Sequence, residues 1–385
     1  MKYLTLETFT DFVCNGFECP LTCCGGWRII IDQETDRFYQ SVEGEMGERL
    51  KNCINREDEK ARIILGGDGF CPFLNEKGLC SIYINLGEEH LSNTCTFYPR
   101  YTFYEGDICF AGISISCPEA AKTYLTHEQP LLIDFAEDDD MSGVREDVDW
   151  ELFNRAIRVF TTSVSIAQNR DCSVKERIAL VVLFISGFQA YVENGNNPME
   201  LINLYSVPEN YGSILDQTQV KTSDLKSKAS FASSIMSFFT KMENADTKLP
   251  EMAELIRYFR DPKNATADSW VWENAFAKAT SCDNEIWREN VLVYTLFKYF
   301  MPGLSERNFY DSLMLGIGTV LNMTTCIAAL YEIMHGKSPE IDYIIMLIAR
   351  LSRIIEHDRS AGQEINTFFD KAGYNDPGFV LKLIS

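Results

Sequence analysis

"CNGFECPLTCCGGW", Cys14 to Trp27, places four cysteines within eleven residues, two of them adjacent, before a glycine pair and a tryptophan. Thiols packed this closely serve either a disulfide framework or a soft metal ion. The chain has 13 cysteines, an odd number that argues against complete pairing. Its first residues, MKYLTLETFTDFV, carry Glu7 and Asp11 and lack the apolar run of a secretion signal. The expected location is therefore the cytoplasm, where clustered cysteines read as metal ligands and isolated ones as small core hydrophobes.

Ten of the 13 cysteines precede residue 118. Beyond the opening block stand "CPFLNEKGLCSIY" with Cys71 and Cys80, "LSNTCTFYPR" with Cys95, and "CFAGISISC" with Cys109 and Cys117. Thiolates in such blocks suit zinc, or iron in an iron–sulfur cluster. One zinc takes four ligands, so either two sites exist or some thiols only line one. Cys23 and Cys24, being adjacent in an extended chain, are expected to point apart. Cys53 stands in a polar stretch and reads as incidental, and His90 reads as a surface residue. Cys172, Cys282 and Cys326 each stand alone in a helical pattern and read as buried core thiols.

Composition bounds the rest. The 385 residues suggest two domains, and a hydrophobic share of 46% supports a large core. A net charge of −21 repels phosphate backbones and anionic lipid, which excludes nucleic acid and disfavours a membrane surface. The uncharged run between Asp311 and Glu332 is long enough to span a bilayer, but its polar residues, its two glycines and its flanks without basic clusters make it a buried helix.

The expected fold is mainly α. A cysteine-rich metal-binding domain with short strands covers 1–135, an acidic linker 136–149, and an α-helical bundle 150–385. "GWRIIID" (26–32) and "DICFAGISISC" (107–117) have strand-like β-branched content. In the bundle, Ser173 and Glu176 form a capping box, and Asn194-Gly195 ends that helix. Ser338-Pro339-Glu340 reads as a cap with a first-turn proline. Ile344, Leu347, Ile348, Leu351, Ile354 and Ile355 fall on one helical stripe. The stretches 217–230 and 260–269 read as flexible.

Three separated blocks, C-x4-C-x3-CC-x2-W, CPFL-x3-GLC-x-IY and C-x2-YPR, together resemble the flagellin lysine-N-methylase family, which is related to zinc- or iron-chelating CxxCxxCC proteins. They correspond to Cys14, Cys19, Cys23, Cys24 and Trp27; to Cys71 through Tyr83; and to Cys95, Tyr98, Pro99 and Arg100. "RENVLVYTLFKYFMP" (288–302) also resembles that family's later helix. The resemblance implies a [4Fe–4S] cluster, S-adenosylmethionine as methyl donor, and flagellin lysines as acceptors. The candidate metal ligands are Cys14, Cys19, Cys23, Cys24, Cys71, Cys80, Cys95 and Cys117, with zinc as the alternative metal. Arg100 and Trp27 are the donor-binding candidates, because a guanidinium can hold a carboxylate and an aromatic face a sulfonium. Tyr98, Arg100 and Tyr101 are the catalytic candidates. The chain lacks C-x3-C-x2-C and a glycine-rich turn after a strand, so neither the radical nor the Rossmann type of donor site is indicated. A metal-chelating or structural metal protein without methyl transfer is the alternative function.

Overall fold

The computed structural model describes residues 1–57, 60–138, 144, 147–218, 225–241, 248–264, 271, 274–275, 285–357 and 359–384. It is mostly helical with a small sheet. Four strands, β1 (Lys2–Leu6), β4 (Arg100–Glu105), β5 (Ile108–Ile113) and β6 (Ile133–Glu137), lie in the order β4-β5-β1-β6. β5 runs antiparallel to β4 and parallel to β1, and β6 runs antiparallel to β1. β2 (Ile54–Asn55) and β3 (Arg62–Ile63) form a separate short hairpin.

The expectation of strand over 107–117 is met by β5 over Ile108–Ile113, whereas residues 114–117 turn, with Cys117 N donating to Ser114 O at 3.2 Å. That over 26–32 is corrected, because only the single bridge Ile30–Arg62 forms there. Asp32 explains the stop: its carboxylate accepts from Thr35 N at 2.9 Å and caps the helix Gln33–Ser41. The β-branched run is used for burial instead, with Ile29 and Ile31 in a small core beside Tyr39, Leu50, Ile63 and Phe73. Cys24, Trp27, Cys53 and Cys80 pack against that core. Cys53 therefore supports the small core as the C-cap of the helix Gly44–Asn52.

A larger core joins the sheet to the helices. Leu6, Phe110 and Ile115 belong to one apolar cluster with Phe160, Phe188, Phe297 and Leu351. The helix Pro118–Leu125 contributes Ala120, Ala121 and Tyr124 to the same cluster. The sheet thus packs with the helical part, while the thiol loops keep a core of their own. Within the acidic linker, Ala136 and Glu137 belong to β6, and Asp149 caps the helix Trp150–Ala167 by accepting from Leu152 N at 3.0 Å. Linker residues 139–143 and 145–146 lie outside the described residues, as do 219–224, 265–269 and Cys282.

In the helical part, the capping box of Ser173 and Glu176 is present on the helix Val174–Glu193, which ends at Asn194 with Gly195 at φ 66°. The helix Ile341–His357 buries its whole predicted stripe. Its start is corrected: Glu340 O accepts from Tyr343 N and Ile344 N, so Pro339 lies before the cap, not in the first turn. Cys326 is buried as expected, but Cys172 is only half-buried, at the helix-entry turn where Cys172 N donates to Asn169 O.

Among the described residues, one helical run, Phe309–His335, is long and apolar enough to cross a membrane, and 89% of its most apolar window is buried in the fold. It passes through a π-helical segment, Ile317–Met323. A second π segment, Leu296–Phe300, follows the helix Glu285–Thr295. Gly316 makes their approach possible, because a Cβ there would stand 2.5 Å from Thr295 and 2.7 Å from Tyr299.

Candidate active site

The thiols gather from four places in the chain. Cys71 N donates to Cys24 O at 2.6 Å, which ties the second block to the first. Cys80 stands at the N-cap of Ser81–Leu86, Cys95 within Asn93–Phe97, and Cys117 at the N-cap of Pro118–Leu125. Burial, and then the nearby thiols of Cys24, Cys95 and Cys80, push Cys71 up to about 12. Desolvation, and then Cys24 and Cys80, push Cys95 up to about 11, although the residue is exposed on its short helix. Cys24, Cys71, Cys80 and Cys95 thus share one electrostatic neighbourhood. Cys117 is raised first by burial and then by Cys19 and Cys14, which mark a second neighbourhood.

Cys23 and Cys24 do not point apart. Their thiols share a hydrogen bond, which raises Cys23 and holds Cys24 down to about 7. The turn ahead of Gly25-Gly26, with Gly26 at φ 79°, replaces the extended chain that divergence would need. Cys109 is fully buried in β5 with Met1 and Ala111, apart from both neighbourhoods. Among the described residues, no three thiol, imidazole or carboxylate side chains are set to hold a single metal ion.

Beside the thiol loop, the helix Ile341–His357 delivers Arg353, Glu356 and His357, spaced i, i+3 and i+4 on one face. Arg353 is buried and donates to Thr22 O at 3.0 Å, Gly25 O at 3.3 Å and Leu21 O at 3.3 Å. It also reaches Ser116 O at 3.3 Å and Tyr98 Oη at 3.4 Å. One guanidinium therefore clamps the carbonyls on both sides of Cys23 and Cys24.

Glu356 accepts Ser114 Oγ at 2.5 Å, Tyr294 Oη at 2.9 Å and Tyr299 Oη at 3.0 Å, with Lys298 Nζ at 3.8 Å. Burial raises both tyrosines well above their ordinary value, so they remain hydroxyl donors. Burial lowers Lys298, against the opposing pull of Glu356, and its Nζ lies 3.2 Å from the Tyr101 ring centroid. His357 Nε2 stands 2.8 Å from Ser116 Oγ. Burial, helped by the charges of Arg353 and Lys298 and opposed by Glu356, lowers His357 to about 4, so its ring is neutral near pH 7. Trp27 covers this imidazole at 4.4 Å and lies 5.3 Å from Tyr98. Its indole N–H donates to Cys23 O at 2.8 Å, which links the rings to the thiol loop.

The structure brings Trp27, Tyr98 and Tyr101 into this junction. Arg100 stays exposed at the start of β4 with its guanidinium over Phe12 at 5.5 Å, and Arg353 occupies the place beside the thiols instead. His90 stacks on Phe38 at 3.8 Å and takes no part. Sequence reasoning missed Ser114, Ser116, Tyr294, Lys298, Tyr299, Arg353, Glu356 and His357. A signal existed for Tyr294, Lys298 and Tyr299, which all fall in the "RENVLVYTLFKYFMP" stretch.

Residues 161–383 match the profile of the FliB lysine N-methylase C-terminal domain. The chain is 30% identical over 146 residues to the flagellar biosynthetic protein FliU of Salmonella muenchen, covering 34% of this chain and 84% of that one. It is 28% identical over 146 residues to a lysine-N-methylase of Salmonella choleraesuis and to one of Salmonella typhimurium. Those matches take in 34% of this chain, and the chain spans only about a third, 35%, of the length of either lysine-N-methylase. No solved structure matches. The matched domain carries Tyr294, Lys298, Arg353, Glu356 and His357 of the junction, and the chain belongs to the FliB lysine N-methylase family.

Proposed function

We propose that the chain is a protein-lysine N-methyltransferase that holds an iron–sulfur cluster, uses S-adenosylmethionine as donor and modifies flagellin lysines in the cytoplasm. Family membership supports methyl transfer to lysine, and the name of the FliU relative supports a flagellar substrate. The observation that carries the reading is the junction itself: helices of the matched domain close on the thiol loops around aromatic rings, a neutral imidazole and a buried carboxylate.

Lysine is protonated near pH 7, with an ordinary pKa of about 10.4, and must lose a proton before it attacks a sulfonium methyl. Trp27 and Tyr98 offer ring faces to the two cations, donor and product. The chemistry of the thiol set fits a soft iron–sulfur group, and Cys24, Cys71, Cys80 and Cys95 are the residues that would hold it. When bound, such a cluster supplies iron–thiolate bonds that staple loops with little apolar core of their own.

The test begins with oxygen-free purification, metal and sulfide analysis, and visible absorption. The expected protein is brown, and Cys24→Ser loses the colour whereas Cys326→Ser keeps it. Labelled methyl from S-adenosylmethionine should then appear on flagellin lysines. Stoichiometric zinc without sulfide would overturn the iron–sulfur assignment, and intact protein that leaves flagellin unlabelled would overturn the methyltransferase assignment.

A further inference from the structure

Two hydroxyls join the imidazole of the junction to its carboxylate. His357 Nε2 lies 2.8 Å from Ser116 Oγ, Ser116 Oγ lies 2.6 Å from Ser114 Oγ, and Ser114 Oγ lies 2.5 Å from Glu356 Oε2. Both serines are buried. Tyr98 Oη, gripped by Arg353, stands 3.2 Å from Ser116 Oγ, and Ser116 N donates to Ser114 Oγ at 3.1 Å. The hydroxyls are thus held in line from outside the chain as well as within it.

Chemistry fixes the direction of this chain. An ionised carboxylate only accepts, so the single hydrogen of Ser114 goes to Glu356. Ser114 must then accept from Ser116, whose hydrogen is spent in turn. Ser116 must accept from His357, so Nε2 carries the ring hydrogen and Nδ1 keeps the lone pair. No other tautomer satisfies all three bonds while Glu356 is ionised.

We propose that His357, Ser116, Ser114 and Glu356 form a proton path that strips the ammonium of the substrate lysine and stores its proton on Glu356. The proposal deepens, and rests on, the reading of the chain as a lysine methyltransferase. An N–H bond of the ammonium breaks and an Nδ1–H bond forms. The Nε2 hydrogen passes to Ser116, the Ser116 hydrogen to Ser114, and the Ser114 hydrogen to Glu356 Oε2. The substrate is left as a neutral amine and Glu356 as a carboxylic acid. The amine lone pair then forms the N–CH3 bond while the S–CH3 bond of the donor breaks and its electron pair stays on sulfur. The poor basicity of His357 suits a conduit, since a basic imidazole would keep the proton it receives.

The groups that face the path come from every side. Lys298, Tyr294 and Tyr299 face Glu356; Trp27, Tyr98 and Arg353 surround His357; Tyr101 lies under Lys298.

The experiment follows methyl transfer to flagellin by the full-length, anaerobically purified protein from about pH 6 to about pH 10. Ser114→Ala and Ser116→Ala should each lower kcat about a hundredfold near neutral pH, the lower end for general acid–base catalysis, with KM for flagellin unchanged. Ser116→Thr, which keeps the hydroxyl, should restore the rate. The alanine variants should also recover as the pH nears the lysine value of about 10.4, where solvent deprotonates the amine without a path. Nitrogen NMR of His357 in the wild type should report the Nε2–H tautomer independently of any activity. Alanine variants that keep full rate, that lose it equally at every pH, or a wild type with the Nδ1–H tautomer would overturn the path while leaving the methyltransferase reading intact. A wild type that transfers no methyl would overturn both.

Discussion

Replacing Arg353 by Gln should loosen the thiol loop more than any other single change in the helical part. The guanidinium makes five hydrogen bonds, to Leu21 O, Thr22 O, Gly25 O, Ser116 O and Tyr98 Oη. Glutamine can replace at most two donors and reaches less far, so at least two buried carbonyls lose their partner. An unsatisfied buried group costs about 1–3 kcal/mol, so two of them cost about 2–6 kcal/mol. A loss of that size is therefore expected. Lysine should do little better, because its compact ammonium cannot span carbonyls on both sides of Cys23 and Cys24. Urea unfolding gives the global cost: at a slope of about 3 kcal/mol/M the midpoint should fall by roughly 1 M or more. Hydrogen exchange over residues 19–27 gives the local one, and protection there should fall before the helices respond. The clamp argument fails if Arg353→Gln unfolds within about 1 kcal/mol of the parent and leaves that exchange unchanged.

Three further outcomes follow from the same geometry. Glu289 is buried against Arg177 at 2.5 Å and Arg170 at 2.9 Å, so Glu289→Ala strands a buried guanidinium and should cost about 3–5 kcal/mol by urea unfolding. Gly112 faces Tyr101 across β4 and β5, and a Cβ there would stand 2.4 Å from the Tyr101 hydroxyl. Gly112→Ala should therefore destabilise by about 1–3 kcal/mol in a thermal melt, and a neutral result would mean that the ring moves freely. His357 is lowered to about 4 from an ordinary value of about 6.5, so the unfolded chain binds its proton first as pH falls. Its contribution is complete above about pH 6.5 and is lost as the pH falls through about 4. His357→Gln should flatten the stability–pH curve across that window by something on the order of 3 kcal/mol, as read from paired urea titrations.

Much of the fold was legible because it rests on local patterns. The stripe from Ile344 to Ile355, the capping box at Ser173 and the β-branched run ending in Ile113 all state their structure within a few residues. "GWRIIID" misled because β-branched content cannot distinguish a strand from a buried irregular segment; the cap chemistry of Asp32 was the better guide. At the site, the cysteine blocks and Trp27, Tyr98 and Tyr101 were readable from spacing and aromatic type. Arg353, Glu356 and His357 were not, since polar residues at the end of an amphipathic helix look like a solvated face. Their partners lie far away in sequence: 332 residues separate Arg353 from Leu21, and 242 separate Glu356 from Ser114. Lys298 and Tyr299 lay in a stretch the sequence singles out, but which way they face was hidden. They sit on the π segment Leu296–Phe300, which shifts the helical phase that a regular 3.6-residue reading assumes.

The division of the site between the two parts of the chain has an energetic consequence. The matched region, 161–383, contains Glu356, Lys298 and Arg353, but none of the hydroxyls and carbonyls from residues 21–116 that satisfy them. Buried charges without those partners would oppose packing of the helix Ile341–His357 by several kcal/mol. The thiol loops have the complementary problem, since their own core is small and Arg353 holds their backbone carbonyls from the far end of the chain. Each part therefore completes the other, and the shared surface is where an imidazole, a carboxylate and the neighbouring rings of Trp27 and Tyr98 meet the thiol loop. A site assembled this way forms only when both parts are folded together, which ties whatever chemistry it performs to the integrity of the whole chain.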